Sequence, residues 1–237
     1  MLGVEYPDQF LANPKNHRNR SCLYIEGVDG NLLVDCPPEM RLMCTAAKIY
    51  QIDAVLITHS HADHVMGMDD LRSICMITGK PIRIYSLPTH QEDIKRIFNY
   101  AFREFPAGVV VPRFDLQDVP ETLEVGQLKV STFTVRHGSI PVTGIRVNNL
   151  AYVTDVSEIP DAAKEKLRNL DVFIVDAVRY KPHPNHFHFD RALEVAQEIG
   201  AKQTYLTHLS ADYDHDVVNA TLPAGIQLAY DGLAIPL

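Results

Sequence analysis

Apolar residues along this chain fall into short runs with strand-like or helix-like spacing, separated by polar and Gly/Pro punctuation. Residues 21–26 and 31–35 read as strands. The Val28-Asp29-Gly30 turn between them predicts a hairpin with Asp-Gly at positive φ. Pro37 and Pro38 open a predicted helix over 39–50, where Leu42, Met43, Ala46 and Ile49 recur at helical spacing. Residues 53–58 form a short apolar strand, followed by a polar, His-rich loop and a helix over about 69–77. A strand at 82–86 and a helix at 89–102 come next. Residues 103–120 contain Pro106, Gly108, Pro112 and Pro120 and read as an irregular loop, a candidate rim over a site. Further strands are predicted at 128–135, 144–147, 150–154, 172–176, 203–207 and 225–229, with a short one near the C-terminus. Helices are predicted at 160–170 and 190–200. Hairpins mixed with strand–loop–helix steps imply a mixed sheet system with helices outside, α+β (α/β-type) in class. No repeat or linker interrupts the pattern, so residues 1–237 read as a single domain.

Composition narrows the classes. The 22 Lys+Arg against 30 Asp+Glu give a formal net charge of −8, which disfavours a broad grip on a phosphate backbone. With 46% hydrophobic and 22% charged residues, wholesale disorder is excluded. The strongest apolar run, Ala54-Val55-Leu56-Ile57, is far shorter than the roughly 18 residues of a membrane span. Residues 1–10 carry Glu5, Pro7 and Asp8 instead of a basic-then-apolar export signal, so a cytoplasmic protein is expected. Cys22, Cys36, Cys44 and Cys75 contain no C-x-x-C pair and read as reduced, mostly buried thiols. Histidine is the unusual count, 11 residues unevenly spread.

Thr58-His59-Ser60-His61-Ala62-Asp63-His64 is the segment that carries chemistry. In an extended turn, His59 and His61 can point to one side and grip one cation. Asp63 and His64, further round, can face a second. Imidazole and carboxylate suit Zn²⁺, Mn²⁺ or Fe, and the lack of Cys here argues against a closed structural zinc site.

An H-x-H-x-D-H pattern directly after a strand resembles the metal-binding motif of the metallo-β-lactamase superfamily. The resemblance implies a four-layer αββα sandwich of two mixed sheets flanked by helices, with two divalent metal ions at one edge. That pattern needs a later His, an Asp and a C-terminal His, each after a strand; His137, Asp155 and His208 stand in that order. It implies His59, His61 and His137 on one metal, Asp63, His64 and His208 on the other, and Asp155 bridging. Asp35-Cys36-Pro37-Pro38-Glu39, His64 through Gly67 to Asp69-Asp70-Leu71-Arg72, His183-Pro184-Asn185-His186, Thr207-His208-Leu209-Ser210 and Leu228-Ala229-Tyr230-Asp231-Gly232 look like the PhnP branch. PhnP-type proteins are phosphodiesterases acting on cyclic ribose phosphates and are related to the RNase Z group. They usually begin with a Gly-rich loop and often a Cys cluster for a structural zinc, neither of which is expected from residues 1–10 here.

The resemblance therefore implies a metal-dependent phosphodiesterase working on a small, cyclic phosphodiester through a two-metal-bridged hydroxide. His186 is the candidate general acid, because its ordinary pKa lies near operating pH; Asp63 is carried as both ligand and catalytic carboxylate. Asp35 reads equally as an orienting partner of a ligand imidazole or as a turn residue. His17, His90, His183, His188 and His215 read as packing or solvated residues. The paired Asp69-Asp70 and the 183–186 segment favour phosphodiester chemistry over a carbonyl ester such as a thioester, lactone or β-lactam. A non-catalytic metal-binding protein is the other alternative. RNase Z-like tRNA processing ranks low, because residues 103–120 offer only Arg103 and Arg113 as bases. The expected partner is a small-molecule phosphodiester, with neither membrane nor nucleic acid; the oligomeric state, a homodimer among the options, is left open.

Overall fold

The computed structural model describes residues 4–106 and 108–236; residues 1–3 of the N-terminal segment lie outside that range. The chain divides into two compact units, an internal one (Arg20–Thr132) and a split one (Met1–Asn19 with Phe133–Leu237). In chain order the elements are α1 (Asp8–Leu11), β1 (Leu23–Glu26), β2 (Asn31–Val34), α2 (Met40–Ala46), β3 (Ala54–Leu56), α3 (Ala62–Val65), α4 (Arg72–Thr78), β4 (Ile82–Ser86), α5 (Pro88–Ile97), β5 (Phe114–Asp118), β6 (Thr122–Val125), β7 (Leu128–His137), β8 (Ile140–Val147), β9 (Leu150–Val153), α6 (Asp161–Lys166), β10 (Val172–Asp176), α7 (Phe189–Ile199), β11 (Gln203–Thr207), α8 (His215–Asn219) and β12 (Ile226–Leu228). They build two mixed sheets with helices. One has five strands in the order β1-β2-β3-β4-β5; the other has seven in the order β12-β11-β10-β9-β8-β7-β6. No helix among the described residues is long and apolar enough to cross a membrane.

In the internal unit β1 and β2 are antiparallel, whereas β2 to β5 run parallel. Leu33, Val55, Ile84 and Leu116 are in register across β2–β5, and Ile82 pairs with Phe114 one row away. These residues share an apolar core with Met40 of α2, Val65 of α3, Cys75 of α4 and Ile94 of α5. Burying these four side chains, one from each helix, holds the helices against the sheet. Leu32, Val34, Ala54 and Leu56, which alternate with that row, are also buried, and this explains the unbroken apolar runs in the sequence.

The split unit has parallel β9, β10, β11 and β12. Two rows cross them in register: Ala151, Phe173, Thr204 and Ile226, then Val153, Val175, Leu206 and Leu228. The second row and the apolar members of the first pack with Ala163 and Leu167, with Ala192, Val195 and Ala196 of α7, and with Val218 of α8. Within each unit taken by itself, the parallel strands end at one edge of their own sheet, where loops can present side chains from a rigid base.

Three local expectations need correction. Neither Asp29 nor Gly30 has a positive φ. Glycine is required at position 30 for another reason: an added Cβ would lie 2.3 Å from the Val125 carbonyl oxygen. Residues 103–120 are not loop throughout. Phe114 and Leu116 alternate with polar residues and form β5 beside β4. Among the described residues, no strand follows β12.

Candidate metal centre

The His-rich segment begins three residues beyond Leu56, at the end of parallel β3, and its second half is helical. Ala62–Val65 is α3, so Asp63 and His64 sit on a helical turn where a loop was predicted. His59 and His64 are fully buried, with ring centroids 4.3 Å apart. His59 Nε2 lies 2.9 Å from His61 Nδ1, which confirms that alternate histidines turn to one side. Asp63 Oδ2 lies 3.4 Å from His64 Nε2.

Asp35 fixes this arrangement from behind. Its backbone is left-handed (φ 65°) at the end of β2, and its carboxylate is fully buried. Oδ1 accepts the Thr58 N–H at 2.8 Å; Oδ2 accepts the Thr58 hydroxyl at 2.8 Å and lies 2.8 Å from His64 Nδ1. With Nδ1 directed at Asp35, Nε2 is the His64 atom that can ligate a metal. Of the two readings the sequence allowed for Asp35, the geometry matches the orienting partner. Backbone contacts clamp the same turn: Cys36 N–H donates to His64 O at 2.7 Å, and Gly67 N–H donates to Cys36 O at 2.8 Å. An added Cβ on Gly67 would lie 2.0 Å from the Pro37 carbonyl oxygen, so only glycine permits this approach.

Asp69 and Asp70 have other uses in the internal unit. Asp69 accepts the Tyr100 hydroxyl at 2.7 Å and lies 3.3 Å from Arg72, while Asp70 lies 3.5 Å from Arg41. Burial, followed by the Asp69 bond, pushes the Tyr100 hydroxyl up to about 12. This pair ties helices together and gives no support for a phosphate contact.

The split unit gathers His137, Asp155, His186 and His208, with Asp176 beneath them. Ligand atoms of His137, Asp155 and His186 lie within 4.8 Å of one another, as do those of Asp176, His186 and His208. His137, the last residue of β7, has Nδ1 2.7 Å from the Asn185 carbonyl oxygen, so Nδ1 carries the proton and Nε2 is its ligating atom. Asp155 is 1% exposed and left-handed (φ 53°); Thr154 Oγ1 donates to its Oδ2 at 2.6 Å. Asp155 Oδ1 lies 3.4 Å from His208 Nε2 and 3.8 Å from His186 Nδ1. His208 is left-handed as well (φ 55°).

His186 stacks on His208 with centroids 5.1 Å apart and planes 17° from parallel, and His183 meets it edge-on at 4.8 Å. Its Nδ1 lies 2.9 Å from Asp176 Oδ2. Asp176, the last residue of β10, has no equivalent in the sequence reading. Burial, then the Asp155 charge, push its carboxyl well above the usual range, against the pull of His208. Burial, then His186, Arg179 and His208, hold His183 below the ordinary imidazole value. Asp176 ends β10, but His186 stands in the loop before α7, so no local signal in the strand ending Val-Asp-Ala marks their contact.

Each unit thus presents imidazole and carboxylate donors on tethered side chains, with no thiolate among them. Such a donor set fits borderline or hard divalent ions of the Zn²⁺ or Mn²⁺ kind.

The family described as a Beta-lactamase superfamily domain matches residues 30–209. A solved structure described as a new diphosphatase from the PhnP family is 34% identical; the match covers 100% of this chain and 91% of that one, with a TM-score of 0.91. An octanoyltransferase of Porphyromonas gingivalis is 32% identical over 90% of this chain, but the chain spans only 44% of that protein's length. A ribonuclease Z of Methanopyrus kandleri is 24% identical over 94% of both chains.

Proposed function

Since this chain belongs to the metallo-β-lactamase superfamily, we propose that it is a metal-dependent hydrolase cleaving a small phosphodiester or diphosphate. The ligand pattern of the superfamily, carried onto this chain, assigns His59, His61 and His137 to one divalent ion. It assigns Asp63, His64 and His208 to a second and Asp155 to both. Bound ions of this kind would supply Lewis acidity toward phosphoryl oxygens and an activated water. The chain's own residues do the rest. Asp35 and the Asn185 carbonyl set the protons of His64 and His137 on Nδ1, keeping Nε2 as the donor atom. Asp176 holds His186 through Nδ1, so proton delivery to a leaving group falls to His186 Nε2.

One observation carries the phosphoryl reading: the likeness to the PhnP-family diphosphatase over essentially the whole of both chains, at 34% identity. The ribonuclease Z relatives, whose name also denotes phosphodiester cleavage, support it. A second reading, attack on a carbonyl ester, is favoured by the octanoyltransferase likeness and requires the same donors.

The test is hydrolysis of bis-p-nitrophenyl phosphate, a ribose cyclic phosphate and a diphosphate ester beside a thioester and a lactone. Activity should vanish in verified metal-free protein and return with Mn²⁺ or Zn²⁺, and full metal-free activity would refute the proposal. Turnover of thioester alone would select the second reading. His186→Ala should lower kcat by about 10²–10⁴-fold with metal content intact; loss of metal would make His186 a ligand.

A further inference from the structure

Ser60 lies between the two histidines that open the H-x-H-x-D-H segment, and its hydroxyl is tied to a helix outside the ligand pattern. Ser60 Oγ donates to Asp93 Oδ2 at 2.7 Å and lies 3.1 Å from His90 Nδ1. A hydroxyl carries one proton. With that proton directed at Asp93, His90 Nδ1 supplies the hydrogen of the second bond. His90 is 3% exposed, and its ring meets that of His59 edge-on with centroids 6.2 Å apart.

Both partners stand on α5, which is well anchored. Pro88 occupies its first turn, and His90 N–H donates to Leu87 O at 2.9 Å. Gln91 Nε2 donates to Ser86 O at 3.2 Å and to Asp118 Oδ1 at 2.9 Å, fastening the helix to β4 and β5. Arg96 pairs with the other oxygen of Asp93 at 2.6 Å. The helix is therefore a fixed post, and Ser60 is the point where the ligand segment is attached to it.

We infer that Ser60, His90 and Asp93 form a positioning set for the ion assigned to His59 and His61. This rests on the metal reading above. Without the tether, the backbone between the two histidines keeps two soft torsions per residue. A metal site tolerates only about 0.5 Å or 10–20° of error in its donors. Holding Ser60 by two hydrogen bonds fixes the direction of both neighbouring imidazoles before the ion arrives. None of the three residues needs to touch the ion or a substrate.

The experiment is a titration of metal-free parent, Ser60→Ala, Asp93→Ala and Asp93→Asn with Zn²⁺ against a chromophoric chelator. Parallel Co²⁺ spectra report donor geometry, and thermal melting confirms folding. Ser60→Ala and Asp93→Ala should bind one ion about tenfold more weakly, at the lower end for lost orienting partners, with shifted Co²⁺ bands. Asp93→Asn keeps an acceptor oxygen and should stay within about twofold of the parent and show its spectrum. If Ser60→Ala fails to fold, Asp93→Ala against Asp93→Asn carries the comparison. Parental affinity and spectra in both alanine variants would overturn the inference alone, and so would Asp93→Asn behaving as Asp93→Ala. A parent that binds neither Zn²⁺ nor Co²⁺ would overturn the metal reading and the inference with it.

Discussion

Replacing Asp35 should separate folding from metal binding. Its buried carboxylate accepts the Thr58 N–H, accepts the Thr58 hydroxyl and faces His64 Nδ1, each at 2.8 Å. Asp35→Ala removes all three contacts. The Thr58 hydroxyl can turn toward His59 Nδ1, already 3.2 Å away, but the Thr58 N–H and His64 Nδ1–H lose these acceptors. At about 1–3 kcal/mol per stranded buried donor, the cost is about 4 kcal/mol. That is a large share of the roughly 5–15 kcal/mol that holds a domain folded. Asp35→Asn keeps one oxygen and tolerates the left-handed backbone, so its loss should be about 2 kcal/mol, that of one charge-assisted bond. Its amide nitrogen, set against His64 Nδ1, drives the imidazole proton to Nε2 and removes the ligating lone pair. Zn²⁺ affinity should then fall by about 10–100-fold in a protein that still folds. Urea unfolding of metal-free protein measures the first effect, and chelator competition measures the second. An Asp35→Ala variant within about 1 kcal/mol of the parent would refute the hydrogen-bond ledger. Parental Zn²⁺ affinity in Asp35→Asn would refute the orienting role.

Gly67→Ala places a Cβ 2.0 Å from the Pro37 carbonyl oxygen, a backbone atom that cannot swing away. The clamp between α3 and the Pro37 turn should open at a cost of about 3 kcal/mol, read from the urea midpoint; an unchanged midpoint would contradict the close approach. Phe173→Ala empties a fully buried position in the split unit's core and should cost about 3–5 kcal/mol. A calorimetric melting shift of only a degree or so would show that the site collapses to fill the space. His215 gives a pH signature. Burial, then Lys15 and Arg18, lower its pKa in the folded chain. Below about pH 6.5 the unfolded chain takes up the proton first, so stability falls as pH drops from there toward the folded value. His215→Gln should flatten melting temperature between about pH 7 and 5, and a variant with the parent's slope would exclude His215 as the source.

Periodicity was a good guide where elements bury one face. Strands β4, β10 and β11 lie at their predicted residues. It failed where special contacts replace periodicity. Strand β5 sits within a proline-punctuated stretch and has only Phe114 and Leu116 to mark its inner face. Helix α3 is four residues long, too short for any helical repeat to register, and its place is set by the Gly67 clamp and not by propensity. Asp176 was read simply as the end of an apolar strand, because nothing local says that a histidine ten residues later folds back onto it. His90 was set aside for the same reason: its partner Ser60 is thirty residues away. Sequence motifs report residues whose spacing is local, whereas the groups that orient them come from wherever the topology leads.

Backbone conformation gives a separate reason to regard the two half-sets as built for chemistry. Among the described residues, six that are not glycine have positive φ: Asp35, Lys48, Asn148, Asp155, Asn169 and His208. Asn148 and Asn169 belong to a residue type that tolerates this region in turns. Asp35, Asp155 and His208 each follow a parallel strand by one or two residues, and each carries a candidate ligand or the carboxylate behind one. The left-handed turn ends the strand abruptly and directs the side chain off the sheet edge, at a cost of about 1–2 kcal/mol for His208 and less for the two aspartates, whose short polar side chains can bond locally. Glycine would remove that cost but would bring no donor. Strain of this kind persists where neighbouring contacts over-determine the conformation, and here those contacts are known: Thr58 and His64 on Asp35, and Thr154 on Asp155. At Asp35 the contacts with Thr58 and His64 offset the strain within the fold itself, whereas His208 brings to its strained position a donor that glycine lacks.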